Sequence, residues 1–270
     1  MQPPVRIALR AARQASTVAL RAMDRLDELE VSQKAVNDFV SNVDQEVEAV
    51  IAEALHQAYP DHGIQGEESG QLYPPGEMNW VIDPIDGTLN FVRGIPHFCI
   101  SIAALQGRRV EHAVVVDPVR NEEFVASRGQ GAQLNGKRMR VTTPSRLDEA
   151  VLVSGIPPAT IRKHGPAYFP MLADVTEKSV AVRRLGSAAL DLAYVAAGRV
   201  DGMFELGLSL WDIAAGALLV TEAGGFVGDF SGGDSHLSSG NIVAANRKLF
   251  SAMIQTIKPH LTPEIHAEHR

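Results

Sequence analysis

Asp83 and Asp86 stand three residues apart in WVIDPIDGTLNF, residues 80–91, where an apolar run ends in two acids, a proline and a glycine. A chain that gives up local stability at such a point must be rewarded from outside the backbone. The arrangement lets two carboxylates converge on one hard cation, with the Ile85 carbonyl between them free to point inward. Magnesium suits such a set, because it takes about six oxygens and keeps several of them as water or substrate phosphate. Gly87 and Thr88 then open a short helix. Glycine permits close backbone approach, and helix N-terminal amides cradle phosphate. The same residues also read as an Asp-Pro turn followed by a helix cap, so DPID alone leaves both readings open.

Two further acidic loci bear on the choice. Glu67-Glu68 in GEESG lie in a tight loop just ahead of the Asp83 strand, where one carboxylate can join the same metal. Asp212 opens the apolar helix of WDIAAGALLVTEAGG. It reads either as an N-terminal acid favoured by the helix dipole or as a metal ligand. Four separated acids, each preceded by apolar structure that positions it, are less easily explained as four independent caps.

The elements that must position these acids follow from periodicity. Val5, Ala8, Ala12, Ala15, Ala19 and Ala22 predict an amphipathic helix over residues 5–30. The stripe Val47, Val50, Ile51, Ala54, Leu55 and Ala58 predicts a second from Asp44 to Tyr59, ended by Pro60. MNWVIDP reads as a strand stopped by Pro84, and CISIAAL, EHAVVVD and EEFVAS as strands of a mostly antiparallel sheet. From about residue 146 the pattern alternates. Strands AVLVSG, SVAVRRL, RVDGMFEL and NIVAAN are separated by helices at 160–175, SAALDLAYVAAG and WDIAAGALLVTEAGG, with Gly198 and Gly224-Gly225 closing helices. This predicts an α/β protein in which an α+β half, residues 1–145, adjoins an α/β half, residues 146–270, with the site in the cleft between them.

Composition limits the function. A net charge of −7 argues against a nucleic-acid-coating surface and fits a protein that concentrates acids around cations. The basic pairs Arg108-Arg109, Lys137-Arg138 and Arg183-Arg184 read as solvated surface. With Cys99 as the single cysteine, no intrachain disulfide can form, which predicts a reducing compartment and a thiol packed as a small hydrophobe. The N-terminus lacks the apolar core of a signal peptide, and no run reaches the ~20 residues needed to cross a bilayer. The expectation is therefore a cytoplasmic protein without a membrane partner. His97 and the other histidines show no metal-ligand pairing and read as structural or surface residues. Ser154-Gly155 and Ser69-Gly70 lack a nucleophile elbow. Gly129, Gly131 and Gly136 fall in hairpin turns, against dinucleotide binding.

GEES, WVIDPIDGTLNF and WDIAAGALLVTEAGG, in this order, resemble the signature segments of the inositol monophosphatase family of lithium-sensitive, magnesium-dependent phosphatases. PVRNEEFVASRGQGAQLNGKRMRV and GSAALDLAYVAAGRVDGMFELG extend the likeness over most of the chain, and within the family it is similar to the bacterial SuhB group. Leu89 departs from the pattern, since many members have a small hydroxyl residue there. The resemblance implies a layered αβαβα sandwich of the sugar phosphatase type, two to three Mg2+ per site and a homodimer. It implies that Glu67, Asp83 and the Ile85 carbonyl hold one ion, that Asp83, Asp86 and Asp212 hold a second, and that Glu67 contacts a third. Thr88, linked to Asp44, would orient the water, with Glu67 and Thr88 accepting its proton. The amides of Gly87 and Thr88 would hold the phosphate. Asp86, the stretch Gly186, Ser187 and Ala188, Glu205 and Asp212 would meet the substrate hydroxyls. Asp44 also reads as an ordinary helix cap.

The implied reaction is hydrolysis of myo-inositol 1-phosphate or a similar polyol phosphate. Nucleotide 3′-phosphatase and fructose-1,6-bisphosphatase activities are the alternatives, and they require extra cationic or loop elements. A binding role is a third reading, because members of the SuhB group take part in ribosomal RNA transcription antitermination with RNA polymerase or antitermination factors. An acidic chain would take that role through protein contacts rather than direct RNA binding.

Overall fold

The computed structural model describes residues 1–28, 31–35, 38–155, 158–262 and 265. Helices α1 (Pro3–Met23) and α2 (Asn42–Ala58) flank a hairpin of β1 (Val31–Ala35) and β2 (Asp38–Ser41). Then follow β3 (Gly63–Gly66), β4 (Gly70–Tyr73), β5 (Met78–Asp86), the short helix α3 (Thr88–Val92), β6 (Cys99–Gln106), β7 (Arg109–Asp117), β8 (Glu122–Ser127), β9 (Gly131–Leu134) and β10 (Lys137–Arg138). They form one sheet in the order β10-β9-β8-β7-β6-β5-β3-β4, antiparallel except where β3 runs parallel to β5. The remainder comprises β11 (Val151–Val153), α4 (Pro158–Lys178), β12 (Ala181–Arg183), α5 (Ala188–Ala196), β13 (Gly202–Glu205), α6 (Leu210–Glu222), β14 (Phe226–Gly228), α7 (His236–Ser239), β15 (Ile242–Ala245) and α8 (Arg247–Ile257). Its sheet, β12-β11-β13-β15-β14, is parallel around β11 and antiparallel around β15.

Successive strand residues face opposite layers. Ile82, Ile102 and Val114 pack on α1 and α2, whereas Val81, Ala103 and Val115 pack on α5 and α6. In the second sheet Val153, Met203 and Ala244 join the same central layer, while Leu152, Phe204 and Val243 face α4 and α8. The order is therefore helix, sheet, helix, sheet, helix: the αβαβα sandwich. Burial on both faces explains why strands such as CISIAAL and EHAVVVD read as continuous apolar runs. It also explains why α5 and α6, covered on all sides, are apolar all round. No helix among the described residues is long and apolar enough to cross a membrane.

Two elements depart from expectation. Helix α1 ends at Met23 and a 3-10 turn follows at Leu26–Glu28, because the alanine stripe that docks α1 stops at Ala22. Pro84 does not stop its strand; β5 continues to Asp86. Asp83 pairs with Ser101 and Asp86 with Cys99, so three steps on β5 oppose two on β6. This bulge is where a residue without an N–H costs the ladder little.

Candidate active site

The bulge matters because residues three apart on a regular strand face opposite sides. One extra residue turns Asp83 and Asp86 to the same side, where Asp212 meets them from the first turn of α6. Carboxylate oxygens of these three acids lie within 4.8 Å of one another. Asp83 is 1% exposed, and its Oδ1 has no hydrogen-bond partner among the described residues. Burial raises its pKa well above the ordinary carboxylate value, and Glu67, Asp86 and Asp212 raise it further. Asp212 is raised by loss of solvent and then by Asp86, although the Ser209 amide donates to its Oδ2 at 2.7 Å. Asp86 is raised by burial, opposed by donors from Ser187 Oγ at 2.6 Å and the Ala189 amide at 2.7 Å.

Like charges held this close without solvent are costly unless a proton or a cation compensates them. The donors are all hard oxygens, and one is buried without a partner. That set fits a hard divalent ion such as Mg2+.

Glu67 follows β3, donates its amide to the Ile82 carbonyl at 3.0 Å and stands close enough to Asp83 to raise the pKa of that acid. Thr88 Oγ1 lies 3.2 Å from Asp44 Oδ1 and 3.1 Å from the Ile85 carbonyl, so one hydroxyl joins α2 to the bulge. Gly87 has φ 97°, and a side chain there would fall 3.0 Å from the Gly186 carbonyl and 3.2 Å from the His97 carbonyl. Only glycine satisfies both the left-handed backbone and the close approach. Gly186, Ser187 and Ala188 form the turn into α5 opposite it. Glu205 ends β13, is 5% exposed and accepts the Gly155 amide at 3.0 Å. Burial, Asp191, Asp212 and Asp86 raise its pKa well above the ordinary value. A cavity of about 410 Å3 has Asp86, Ser187, Asp191, Glu205 and Asp212 in its wall.

Sequence reasoning overlooked several neighbours. Asp191, a lone acid in the apolar SAALDLAYVAAG, lines the cavity; its Oδ1 lies 3.3 Å from His97 Nε2, and burial pushes its pKa up to about 6. That lone acid was the available signal. Asn90 donates to the His97 and Leu185 carbonyls at 2.8 and 2.9 Å, tying α3 to the α5 turn. Arg184, read as plain surface, is exposed but stands at the cavity wall, and Leu89 is half exposed beside it. Cys99 is buried as expected, yet it is more than a hydrophobe. Its Sγ donates to Asp86 Oδ2 at 3.7 Å, and burial beside Asp86 keeps the thiol protonated.

An acid cluster where the β5 bulge meets the first turn of α6, in this layer order, fits the class of metal-dependent phosphatases. The inositol monophosphatase family model matches residues 1–262, and the chain belongs to that family. It is 51% identical over 269 residues to the Nus factor SuhB of Pseudomonas aeruginosa, with 98% of this chain and 99% of that protein covered. Among solved structures, the extragenic suppressor protein SuhB of Bartonella henselae superposes with TM-score 0.91 at 38% identity, covering 95% of this chain and 98% of that one. An inositol monophosphatase from Anabaena superposes with TM-score 0.84 at 34% identity, covering 94% and 95%.

Proposed function

We infer that the protein hydrolyses a small polyol phosphate monoester, with myo-inositol 1-phosphate as the leading substrate, using two to three Mg2+ per site. The observation that carries this reading is the convergence of Asp83, Asp86 and Asp212 within 4.8 Å, with one oxygen of Asp83 unpaired. Glu67, Asp83 and the Ile85 carbonyl would hold one ion, Asp83, Asp86 and Asp212 a second, and Glu67 would contact a third. When bound, the ions neutralise the phosphate dianion, lower the pKa of water and stabilise the departing alkoxide.

The chain's own residues do the rest. Thr88, fixed between Asp44 and the Ile85 carbonyl, orients the attacking water, whose proton passes to the Glu67 carboxylate or through the Thr88 hydroxyl, which hands its own proton to the Asp44 carboxylate. The Gly87 and Thr88 amides receive the phosphate. Gly186 to Ala188, Glu205, Asp86 and Asp212 meet the hydroxyls. The wall carries Asp86, Asp191, Glu205 and Asp212 against one arginine, Arg184, so acceptors for hydroxyl groups outnumber cationic partners for a second phosphate, which favours a polyol over a bisphosphate or a nucleotide 3′-phosphate. In this reading residues 1–145 supply Glu67 to Thr88, and residues 146–270 complete the site.

Phosphate release from a substrate panel, with and without Mg2+, tests the assignment. Release should require Mg2+ and favour inositol 1-phosphate. Lithium, against sodium at equal ionic strength, should inhibit uncompetitively or noncompetitively. Release indifferent to Mg2+ overturns the reading.

A second role is favoured by the name Nus factor carried by a relative 51% identical. We infer participation in transcription antitermination, as a cytoplasmic homodimer contacting RNA polymerase or its antitermination factors. Asp83→Asn should abolish phosphate release yet retain pull-down of polymerase-associated factors. Loss of both would indicate metal-dependent folding instead.

A further inference from the structure

Glu48 lies one turn along α2 from Asp44, on the same face, and is 1% exposed. Its Oε2 accepts the Glu68 amide at 2.8 Å, and its Oε1 accepts the Ser69 amide at 3.0 Å. The preceding amide, that of Glu67, donates to the Ile82 carbonyl. Three consecutive amides of the turn between β3 and β4 are thus held, two of them by one buried carboxylate. Such charge-assisted bonds are among the stronger ones, and a carboxylate is buried at a cost that only such partners offset.

Gly66 is an independent sign that the space is reserved. A Cβ there would fall 2.1 Å from Glu48 Oε2, although the backbone of Gly66 does not require glycine. The missing side chain leaves room for the carboxylate. A turn that only needed closing would not require a buried acid 20 residues away. This turn carries Glu67 against Asp83.

We propose that Glu48 is a positioning residue whose carboxylate clamps residues 67–69, so that Glu67 is presented to the cation site and sets its affinity. The inference rests on the metal-site reading given above. Gln at position 48 keeps the shape, but its NH2 would face one amide N–H, so one bond of the clamp is lost. Alanine at position 66 keeps every hydrogen-bonding group and only pushes the carboxylate away.

Calorimetric Mg2+ titration of the full-length protein tests this, alongside phosphate release as a function of Mg2+ concentration. Glu48→Gln and Gly66→Ala should each weaken Mg2+ binding by about tenfold, the scale for partners that orient metal ligands. The Mg2+ midpoint for activity should move by the same factor, with KM for substrate at saturating Mg2+ unchanged. The double variant should bind no more weakly than Glu48→Gln alone, because both changes break one clamp. Glu53→Gln, exposed on the same helix, should match the wild type. Thermal melting in chelator separates folding from positioning, and Gly66→Ala serves if Glu48→Gln fails to fold. Folded variants with wild-type Mg2+ affinity overturn the clamp alone. A wild type that binds no Mg2+ overturns both the clamp and the metal-site reading.

Discussion

Ser41-Asn-Val-Asp44 and Ser209-Leu-Trp-Asp212 open α2 and α6 with the same device. In each, the acid at the third helical position accepts the serine amide, at 2.9 Å and 2.7 Å. At α2 the device is closed, since Asp44 also accepts the Ser41 hydroxyl at 2.5 Å and the Thr88 hydroxyl at 3.2 Å. At α6 the carboxylate instead faces Asp83 and Asp86. Burial raises both pKa values, but hydrogen-bond donors oppose the rise at Asp44, while Asp86 adds to it at Asp212. Identical local syntax therefore serves two ends, and what lies across from the acid decides which. An acid among donors orients; an acid among acids is placed where it could hold a cation.

The largest expected effect separates the two boxes. Asp212→Asn, like Asp86→Asn, should cut turnover at least ~100-fold, the scale of a lost electrostatic stabiliser. The metal-free protein should lose no stability, because one of several mutually repelling acids has gone. Asp44→Asn should do the reverse: a stability loss of about 1 kcal/mol from the weakened cap and a smaller fall in turnover. Steady-state kinetics and denaturant unfolding of both variants decide the matter. Wild-type turnover in Asp212→Asn would erase the distinction.

The acidity of the cluster sharpens the same contrast through pH. Acids raised in the folded state bind protons there that the unfolded chain has released, so their contribution is most favourable at low pH and declines as pH rises through the folded values. For Asp191 that decline runs from the ordinary 3.8 to about 6, and for Asp83, Asp212 and Glu205 it extends upward in the same direction. Mg2+ competes with those protons. The rise in Tm produced by Mg2+ should therefore be larger near about pH 8 than near about pH 5. Asp212→Asn should remove most of that difference, and Asp44→Asn should leave it in place. An Mg2+ effect equal at both pH values would contradict the proposed coupling.

The residues of this site were legible to very different degrees. Asp83, Asp86 and Asp212 stood out as a set, because several separated acids interrupting apolar runs are hard to explain as independent caps, although each alone also reads as a turn or cap residue. The strands around them were readable because both faces are buried and the runs are unbroken. The β5 bulge was not readable: a proline after Asp83 signals the end of a strand as well as it signals an extra residue, and only the pairing with β6 distinguishes them. Asp191 and Glu48 were missed because their partners, His97 and the Glu68 and Ser69 amides, lie 94, 20 and 21 residues away in sequence. Local pattern reports which face of a helix is apolar. It does not report which loop will lie against a polar residue on that face.

The smallest expected effect concerns the caps themselves. Ser41 is 1% exposed and its hydroxyl donates to Asp44, so Ser41→Ala removes a buried bond and should cost about 1 kcal/mol. Ser209 is half-buried, and Asp212 keeps the bond from its amide, so Ser209→Ala should cost less. Turnover should stay within about twofold of wild type in both, because Asp44 keeps the Thr88 hydroxyl and Asp212 keeps its place among the acids. Unfolding midpoints and steady-state rates measured together give the reading. If Ser41→Ala lowers turnover as far as Asp44→Asn does, the serine hydroxyl is what aims Asp44 at Thr88. The α2 box would then belong to the chemistry as fully as the α6 box does.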